Sequence, residues 1–220
     1  MVDIYPSLMA ADPLCLENEI LLLEPYCAGF HLDVMDNHFV PNITWGADTV
    51  NAIAKTAKLV WLHLMIEQPE LFYDTLSLPV DSIVSFHIEL ELDVINFIKT
   101  IREKKHRVSI AISPKTPLSR IVPFLHTIDQ VLVMSVEPGF SGQPFLKTTF
   151  DRIMELVAYR KKHNNIFRIG VDGGIDTTNI KELMEYGVDD YAIASAIFKS
   201  QNPVVALKQL EQACCDVKKP

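Results

Sequence analysis

Histidine and aspartate side chains recur at spacings that could hold a metal ion. His31 and Asp33 are two residues apart in an apolar run, His63 lies in a second run, and Asp172 ends a third. Side chains two apart on a strand point to the same face, so His31 and Asp33 share one. Buried imidazoles and carboxylates are costly unless they are paired or bind a metal. Together the four predict a divalent site for Zn, Fe(II), Mn or Co, although each histidine alone could be a hydrogen-bonded core residue.

Two glycine-rich loops late in the chain are suited to binding an anion. They are Pro138–Pro144 and Asp172–Gly174. Small residues let backbone N–H groups approach phosphate oxygens, although such glycines can also simply turn the chain.

Three methionines, Met35, Met65 and Met134, lie at the ends of apolar runs. They are either core residues or an apolar cover that excludes water from a reacting carbon.

Short apolar runs alternate with amphipathic stretches along the whole chain. Nearly continuous apolar runs are typical of strands that are buried on both faces. The predicted strands are Ile4–Met9, Phe30–Met35, Val60–Met65, Ser82–His87, Arg107–Ile112, Gln130–Val136, Arg168–Asp172 and Tyr191–Ala194. The predicted helices are Leu16–Glu24, Asp48–Thr56, Glu70–Leu76, Leu92–Lys104, Leu118–Thr127, Thr149–His163, Thr178–Tyr186 and Pro203–Cys214.

Eight strand–helix units in series indicate parallel strands with crossover helices. The competing architectures are an open doubly wound sheet and a closed barrel. A chain of 220 residues without GxGxxG after its first strand favours a single (β/α)8 TIM barrel over residues 1–220. In this fold the active site lies at the C-terminal ends of the strands, where the histidines, aspartates and glycine loops fall. The loops after strands seven and eight often hold a phosphate.

Composition excludes several classes of partner. The net charge is -8, which argues against a nucleic acid or an anionic membrane as partner. No apolar run reaches the roughly 18 residues of a membrane span, and the first residues do not resemble a signal peptide. The four cysteines show no CxxC spacing. We therefore expect a cytoplasmic protein without a disulfide framework.

Several motifs together resemble the ribulose-phosphate 3-epimerase family over nearly the whole chain. They are HLDVMDNHFVPNITWG from His31, HLM from His63, HIE from His87, SPKTP from Ser113, VMSVEPGFSGQPF from Val133, VDGGI from Val171 and SAIF from Ser195. The resemblance implies a TIM barrel with one divalent metal ion per subunit. It also implies interconversion of D-ribulose 5-phosphate and D-xylulose 5-phosphate in the pentose phosphate pathway. The implied mechanism is two-base proton transfer at C3 through a metal-stabilised enediolate.

The resemblance also assigns roles to residues. It implies that His31, Asp33, His63 and Asp172 bind the metal and that Asp33 and Asp172 are the catalytic acid and base. The implied substrate-binding residues are Ser7, Met35, His63, Met65, Met134, Gly139, Gly142, Gln143, Gly173, Gly174, Ala194 and Ser195. Family members are often dimers or hexamers, so we expect a homo-oligomer.

Four positions depart from the family pattern. Asn37, Ser141 and Ala194 replace glycines, and Ser113 replaces an asparagine. Ala194 stands where the family brings backbone close to phosphate. These departures leave two alternatives open: a 3-epimerase of a hexulose 6-phosphate such as allulose 6-phosphate, and a catalytically silent barrel that binds a sugar phosphate.

Overall fold

The fold is a closed barrel of parallel strands. The computed structural model describes residues 2–215, so residues 1 and 216–220 of the predicted domain lie outside the described part. The strands are β1 (Asp3–Pro6), β2 (Phe30–Met35), β3 (Val60–Met65), β4 (Ile83–His87), β5 (Arg107–Ile112), β6 (Gln130–Met134), β7 (Arg168–Asp172) and β8 (Asp190–Ile193). They pair in parallel in the order β1-β8-β7-β6-β5-β4-β3-β2, and a parallel bridge between Ser7 and His31 joins the ends. The predicted (β/α)8 TIM barrel is confirmed.

Helices cover the outer face of the barrel. They are α1 (Leu16–Leu23), α2 (Ala47–Thr56), α3 (Pro69–Asp74), α4 (Val94–Glu103), α5 (Thr149–His163), α6 (Ile180–Glu185), α7 (Ser195–Phe198) and α8 (Pro203–Cys215). Helix α4 shows how the sequence determines where a helix begins and which face it buries. Asp93 caps its first turn by accepting the N–H of Asn96, and Phe97, Ile98 and Ile101 are buried against the sheet. Within residues 2–215, none of the helices combines the length and the apolar character that crossing a membrane requires.

Two predicted elements differ from the structure by more than two residues or in type, and one helix was not predicted. The predicted helix Leu118–Thr127 is instead two 3-10 turns, Leu118–Arg120 and Val122–Phe124. Pro123 lies in the second turn, where a proline lacks the N–H that a longer helix needs. The first strand ends at Pro6, and Leu8–Ala10 forms a 3-10 turn. The short helix α7 was not predicted, because four residues carry no helical period.

The barrel interior is filled by side chains beneath the C-terminal end. Trp61 is fully buried there, and its ring lies edge-on to Tyr5 at 5.0 Å and to His31 at 4.9 Å between centroids. Gly170 on β7 leaves space for it, because a Cβ at that position would lie 2.7 Å from the Trp61 ring. Trp61 therefore forms the floor of the site, by which we mean the buried side chain that packs beneath the predicted metal ligand His31.

The opposite, N-terminal end of the barrel carries a network of charges. Arg168 donates to Asp190 and, at 2.7 Å, to Asp3. The Gln130 amide also donates to Asp190, at 2.7 Å, and Asp190 is fully buried. Each buried acceptor here faces a permanent cation or an amide donor.

Candidate active site

The four predicted metal ligands meet at the C-terminal end of the barrel. Strand β2 supplies His31 and Asp33, β3 supplies His63, and β7 supplies Asp172. The register pairs Asp33 directly with His63 across the two neighbouring strands. One donor atom from each of the four lies within 4.8 Å of the others. Both imidazoles are fully buried, so the barrel holds their rings in place.

Asp33 is the centre of the hydrogen-bond network. Its Oδ1 lies 3.0 Å from Nδ1 of His63, and its Oδ2 lies 3.2 Å from Nδ1 of His31. The Ser7 hydroxyl donates to the same Oδ2 at 2.7 Å. Ser7, predicted to contact substrate, thus also fixes the orientation of the Asp33 carboxylate.

Asp172 approaches the cluster from the other side of the barrel mouth. Its Oδ2 lies 3.5 Å from Nδ1 of His63. The Ser135 hydroxyl donates to the carbonyls of Asp172 and Gly173, at 2.8 and 2.5 Å, and this anchors the end of β7. The side chain of Asp172 is 14% exposed against 5% for Asp33, so Asp172 is the more open of the two carboxylates.

The electrostatics of the cluster favour charged forms. Burial alone would raise the pKa of Asp33, yet the charges and hydrogen bonds of His31 and His63 hold it well below its usual range. Burial alone would lower the pKa of His63, but hydrogen bonds with Asp172 and Asp33 raise it to about 9. The cluster is therefore a place where positive charge is stabilised.

The donor set fits a divalent cation. Two imidazole nitrogens and two carboxylates form a mixed N/O set of the kind that Zn, Fe(II), Mn and Co accept. Among the described residues, the buried Nε2 of His31 has no hydrogen-bond partner. Because such groups are rarely left unpaired, a ring with a spare nitrogen suits a ligand role. The group His31, Asp33, His63 and Asp172 could hold a metal ion, as the sequence predicts.

A second buried histidine lies behind the cluster. Nε2 of His87, at the end of β4, is 2.9 Å from Nε2 of His63, and its Nδ1 is 3.0 Å from Oε2 of Glu89. Burial lowers the pKa of His87 to about 4. Burial would raise the pKa of Glu89, but hydrogen bonds with His87, Thr116 and Ser113 lower it to about 2. His87 and Glu89 belong to the HIE motif, for which the sequence predicted no role in the site.

A cleft opens over the cluster. All of the predicted substrate-binding residues except His63 line it: Ser7, Met35, Met65, Met134, Gly139, Gly142, Gln143, Gly173, Gly174, Ala194 and Ser195. His63 is fully buried beside the cleft and reaches the cluster through Nδ1. Their contact with a substrate stays a prediction.

Several residues that line the cleft are not among the predicted site residues. They are Met9, Val136, Pro138, Phe140, Ile175 and Ala192. Val136 follows Met134 by two positions, so the period of a strand could have identified it. Pro138 and Phe140 lie in the loop Pro138–Pro144, which the sequence predicts to bind an anion, and the types of the remaining residues carry no chemical signal.

A profile of the Ribulose-phosphate 3 epimerase family matches residues 3–198. The chain belongs to this family. A ribulose-phosphate 3-epimerase from Treponema pallidum is 37% identical over 196 residues, 88% of this chain and 89% of that protein. One from Aquifex aeolicus is 35% identical over 208 residues, 94% of each chain. The family resemblance stated from the motifs is therefore confirmed.

Solved structures support the same fold. The crystal structure of KGPDC from Streptococcus mutans superposes with a TM-score of 0.71 and 10% sequence identity, covering 99% of each chain. At that identity the likeness shows the barrel fold alone.

The glycine replacements are accommodated by the backbone. Asn37 adopts φ 62°, and asparagine tolerates this left-handed region better than most residues, so the turn is kept. Ala194 has φ -100°, which lies outside the left-handed region that favours glycine. Ser141 is not among the described residues with positive φ, whereas its neighbours Gly139 and Gly142 are. Of these three departures from the ribulose-phosphate 3-epimerase pattern, Asn37 is the one with a positive φ.

Proposed function

We propose that the protein is a metal-dependent 3-epimerase that interconverts D-ribulose 5-phosphate and D-xylulose 5-phosphate. The observation that carries the proposal is the complete donor set of His31, Asp33, His63 and Asp172 at the base of a cleft, in a chain of this family. Two carboxylates and two glycine loops in one cleft suit an anionic ketose whose chemistry is proton transfer.

The glycine loops are proposed to bind the phosphate. Gly142 and Gly174 line the cleft on neighbouring loops and both adopt positive φ. A Cβ at Gly174 would lie 2.6 Å from the backbone nitrogen of Phe145, so only glycine fits the tight approach of these loops. Holding the phosphate there places the sugar carbons over the carboxylates.

Asp33 and Asp172 are proposed to be the acid and base. They come from β2 and β7, so they can face a carbon between them from two sides. One carboxylate removes the C3 proton, and the other, as its carboxylic acid, delivers a proton to the opposite face of C3. The centre is inverted with no net change in protons bound. Each positioned group typically contributes about 10²–10⁴-fold.

The same four residues would hold the metal. When bound, a divalent ion supplies Lewis acidity that makes the C3 proton beside the C2 carbonyl more acidic. Met35, Met65 and Met134, which are at least 97% buried, form an apolar lining at this depth of the cleft. Their role is to exclude water, which strengthens the electrostatic interactions of the carboxylates with the reacting carbon.

The test is turnover of D-ribulose 5-phosphate by metal-replete protein, with allulose 6-phosphate as a second substrate. We expect xylulose 5-phosphate to form, chelator to abolish its formation, and kcat/KM to be lower for allulose 6-phosphate. In D2O, deuterium should appear at C3. Higher kcat/KM on allulose 6-phosphate would contradict the substrate, and absence of exchange on both sugars would support a silent barrel.

Further expectations rest on the family alone. We propose that the ion is Zn, Fe(II), Mn or Co, that the enzyme acts in the pentose phosphate pathway in the cytoplasm, and that it is a homo-oligomer. Metal analysis of an active preparation and light scattering after size exclusion test the ion and the oligomer.

A further inference from the structure

The contact between His63 and His87 constrains where their protons lie. Two Nε2 atoms 2.9 Å apart share one hydrogen, because a bond between them needs one donor and one acceptor. The rings are nearly parallel, 25° apart, with centroids 5.1 Å apart, and both are fully buried. Phe39 covers His87 at 4.5 Å between ring centroids. The pair is therefore buried away from bulk water. Which of the two Nε2 atoms carries the shared hydrogen depends on the contact that His87 makes through its other ring nitrogen, Nδ1.

The contact with Glu89 determines which ring nitrogen of His87 carries hydrogen. Its carboxylate accepts at both oxygens: Oε2 faces Nδ1 of His87 at 3.0 Å, and Oε1 accepts the Ser113 N–H at 2.9 Å. A carboxylate has no proton to donate, so Nδ1 of His87 carries the hydrogen of their bond. The Ser113 hydroxyl also lies near Nδ1 of His87, at 3.4 Å. The Glu89 contact is shorter and charge-assisted, so it prevails.

The loop that holds Glu89 is itself fixed. The Arg152 guanidinium donates to the carbonyls of Pro114 and Thr116 at 3.1 and 2.8 Å, and to that of Ser113 at 3.3 Å. This keeps the Ser113 N–H aimed at Glu89. The carboxylate thus reaches His87 from a position set by three backbone contacts.

We propose that Glu89, acting through His87, keeps a hydrogen on Nε2 of His63, so that Nδ1, which faces Asp33 and Asp172, is the nitrogen that can exchange its hydrogen for a cation. With its hydrogen on Nδ1, a neutral His87 has a bare Nε2, which accepts Nε2–H of His63. Nδ1–H of His63 donates to Asp33 at 3.0 Å, and a bound cation would take the place of that hydrogen. Glu89 and His87 are positioning residues, and the inference rests on the proposed metal site. The opposite tautomer would point an N–H at the cation.

Glu89→Gln tests the relay. A glutamine amide has one acceptor oxygen and one donor nitrogen, so it cannot accept from both His87 and Ser113. Outer partners of metal ligands typically contribute about 10–100-fold to metal affinity, and we expect Zn(II) affinity to fall within that range. Glu91→Gln is the matched control, because Glu91 is exposed on the same loop and its replacement removes the same charge. Its affinity should equal that of wild type.

Ring nitrogen chemical shifts give a second readout that needs no variant. In ¹⁵N-histidine-labelled, Zn(II)-loaded wild type, we expect hydrogen on Nδ1 of His87 and on Nε2 of His63. Hydrogen on Nε2 of His87 would overturn the relay, as would Zn(II) affinity of Glu89→Gln equal to that of Glu91→Gln. Either result leaves the proposed function intact if wild type binds Zn(II) and epimerises. Failure of wild type to bind Zn(II) would overturn the metal site and the relay with it.

Discussion

The two ends of the barrel both bury charge, and they do so in opposite ways. At the N-terminal end, Arg168 provides a permanent cation for Asp190 and Asp3. At the C-terminal end, Asp33 and Asp172 face imidazoles, which carry positive charge only when they are protonated. The first arrangement is complete within the described residues, whereas the second could hold a metal ion. We propose that charge stabilises the fold at the N-terminal end and takes part in the reaction at the C-terminal end.

The largest expected effect comes from the C-terminal end. Asp172→Asn removes a proposed acid or base but keeps the shape of the side chain, so we expect kcat to fall by at least about 10²–10⁴-fold. The metal-free protein should keep its circular dichroism spectrum. Metal content must be measured beside the rate, because Asp172 is also a proposed ligand. Asp33→Asn should behave alike, and wild-type turnover in either variant would contradict the assigned roles.

Arg168→Met tests the N-terminal end. It leaves Asp190 buried without its cation, and breaking a buried pair in this way typically costs about 3–5 kcal/mol. Urea unfolding should show that loss, while kcat of the folded fraction stays unchanged. Arg102→Met is the control, because the Arg102–Asp129 pair is partly exposed and contributes no more than about 1 kcal/mol. Equal losses in the two variants would remove the contrast between buried and exposed pairs.

Gly170→Ala tests the barrel interior that lies between the two ends, where Trp61 is buried. The new Cβ would lie 2.7 Å from the Trp61 ring, and overpacking of this kind typically costs about 1–3 kcal/mol. Because Trp61 contacts His31, zinc affinity should fall as well. Gly46→Ala is the control, since a Cβ there has no neighbour within 4 Å and Gly46 has φ -79°. A stable Gly170→Ala protein with wild-type zinc affinity would show that the floor does not position His31.

The smallest effect is a pH dependence at His106, outside the metal site. Its Nδ1 lies 2.6 Å from the Tyr73 hydroxyl, and burial lowers its pKa below the ordinary 6.5. The unfolded chain therefore takes up this proton at higher pH than the folded one. The stability that His106 contributes is present above about pH 6.5 and is lost as pH falls through the folded pKa.

Comparing His106→Gln with wild type isolates this contribution. The free energy of unfolding should fall more steeply for wild type than for His106→Gln between about pH 7.5 and about pH 5.5. His126→Gln, at an exposed histidine, should keep the wild-type slope. If the free energy of unfolding of His106→Gln fell with pH as steeply as that of wild type, a group other than His106 would be responsible for the acid sensitivity.

The sequence predicts the barrel well because buried parallel strands leave long apolar runs. β2, β3, β5 and β7 begin and end where the runs predict. The segment after β5 does not form the predicted helix. The apolar residues of Leu118–Thr127 have a helical period, but Pro123 interrupts the helix that this period predicts. Local pattern fails where a single residue type forbids the hydrogen bond that the pattern assumes.

The site was predictable to the extent that its residues carry chemistry. Period two along β2 joins His31 to Asp33, and the barrel topology brings His63 and Asp172 to them. The bond between His63 and His87 was not predictable, because it depends on ring orientations across neighbouring strands rather than on spacing along one. The contact of Ser7 with Asp33 was missed for the same reason.

Titration of metal-free protein with Co(II), followed by its visible absorption, tests the central claim most directly. We predict saturation at one ion per chain, with His63→Gln and Asp172→Asn each weakening binding and Arg168→Met leaving it unchanged in folded protein. No Co(II) binding by wild type, or binding that neither His63→Gln nor Asp172→Asn weakens, would contradict the claim that the C-terminal end of the barrel is arranged for a cation.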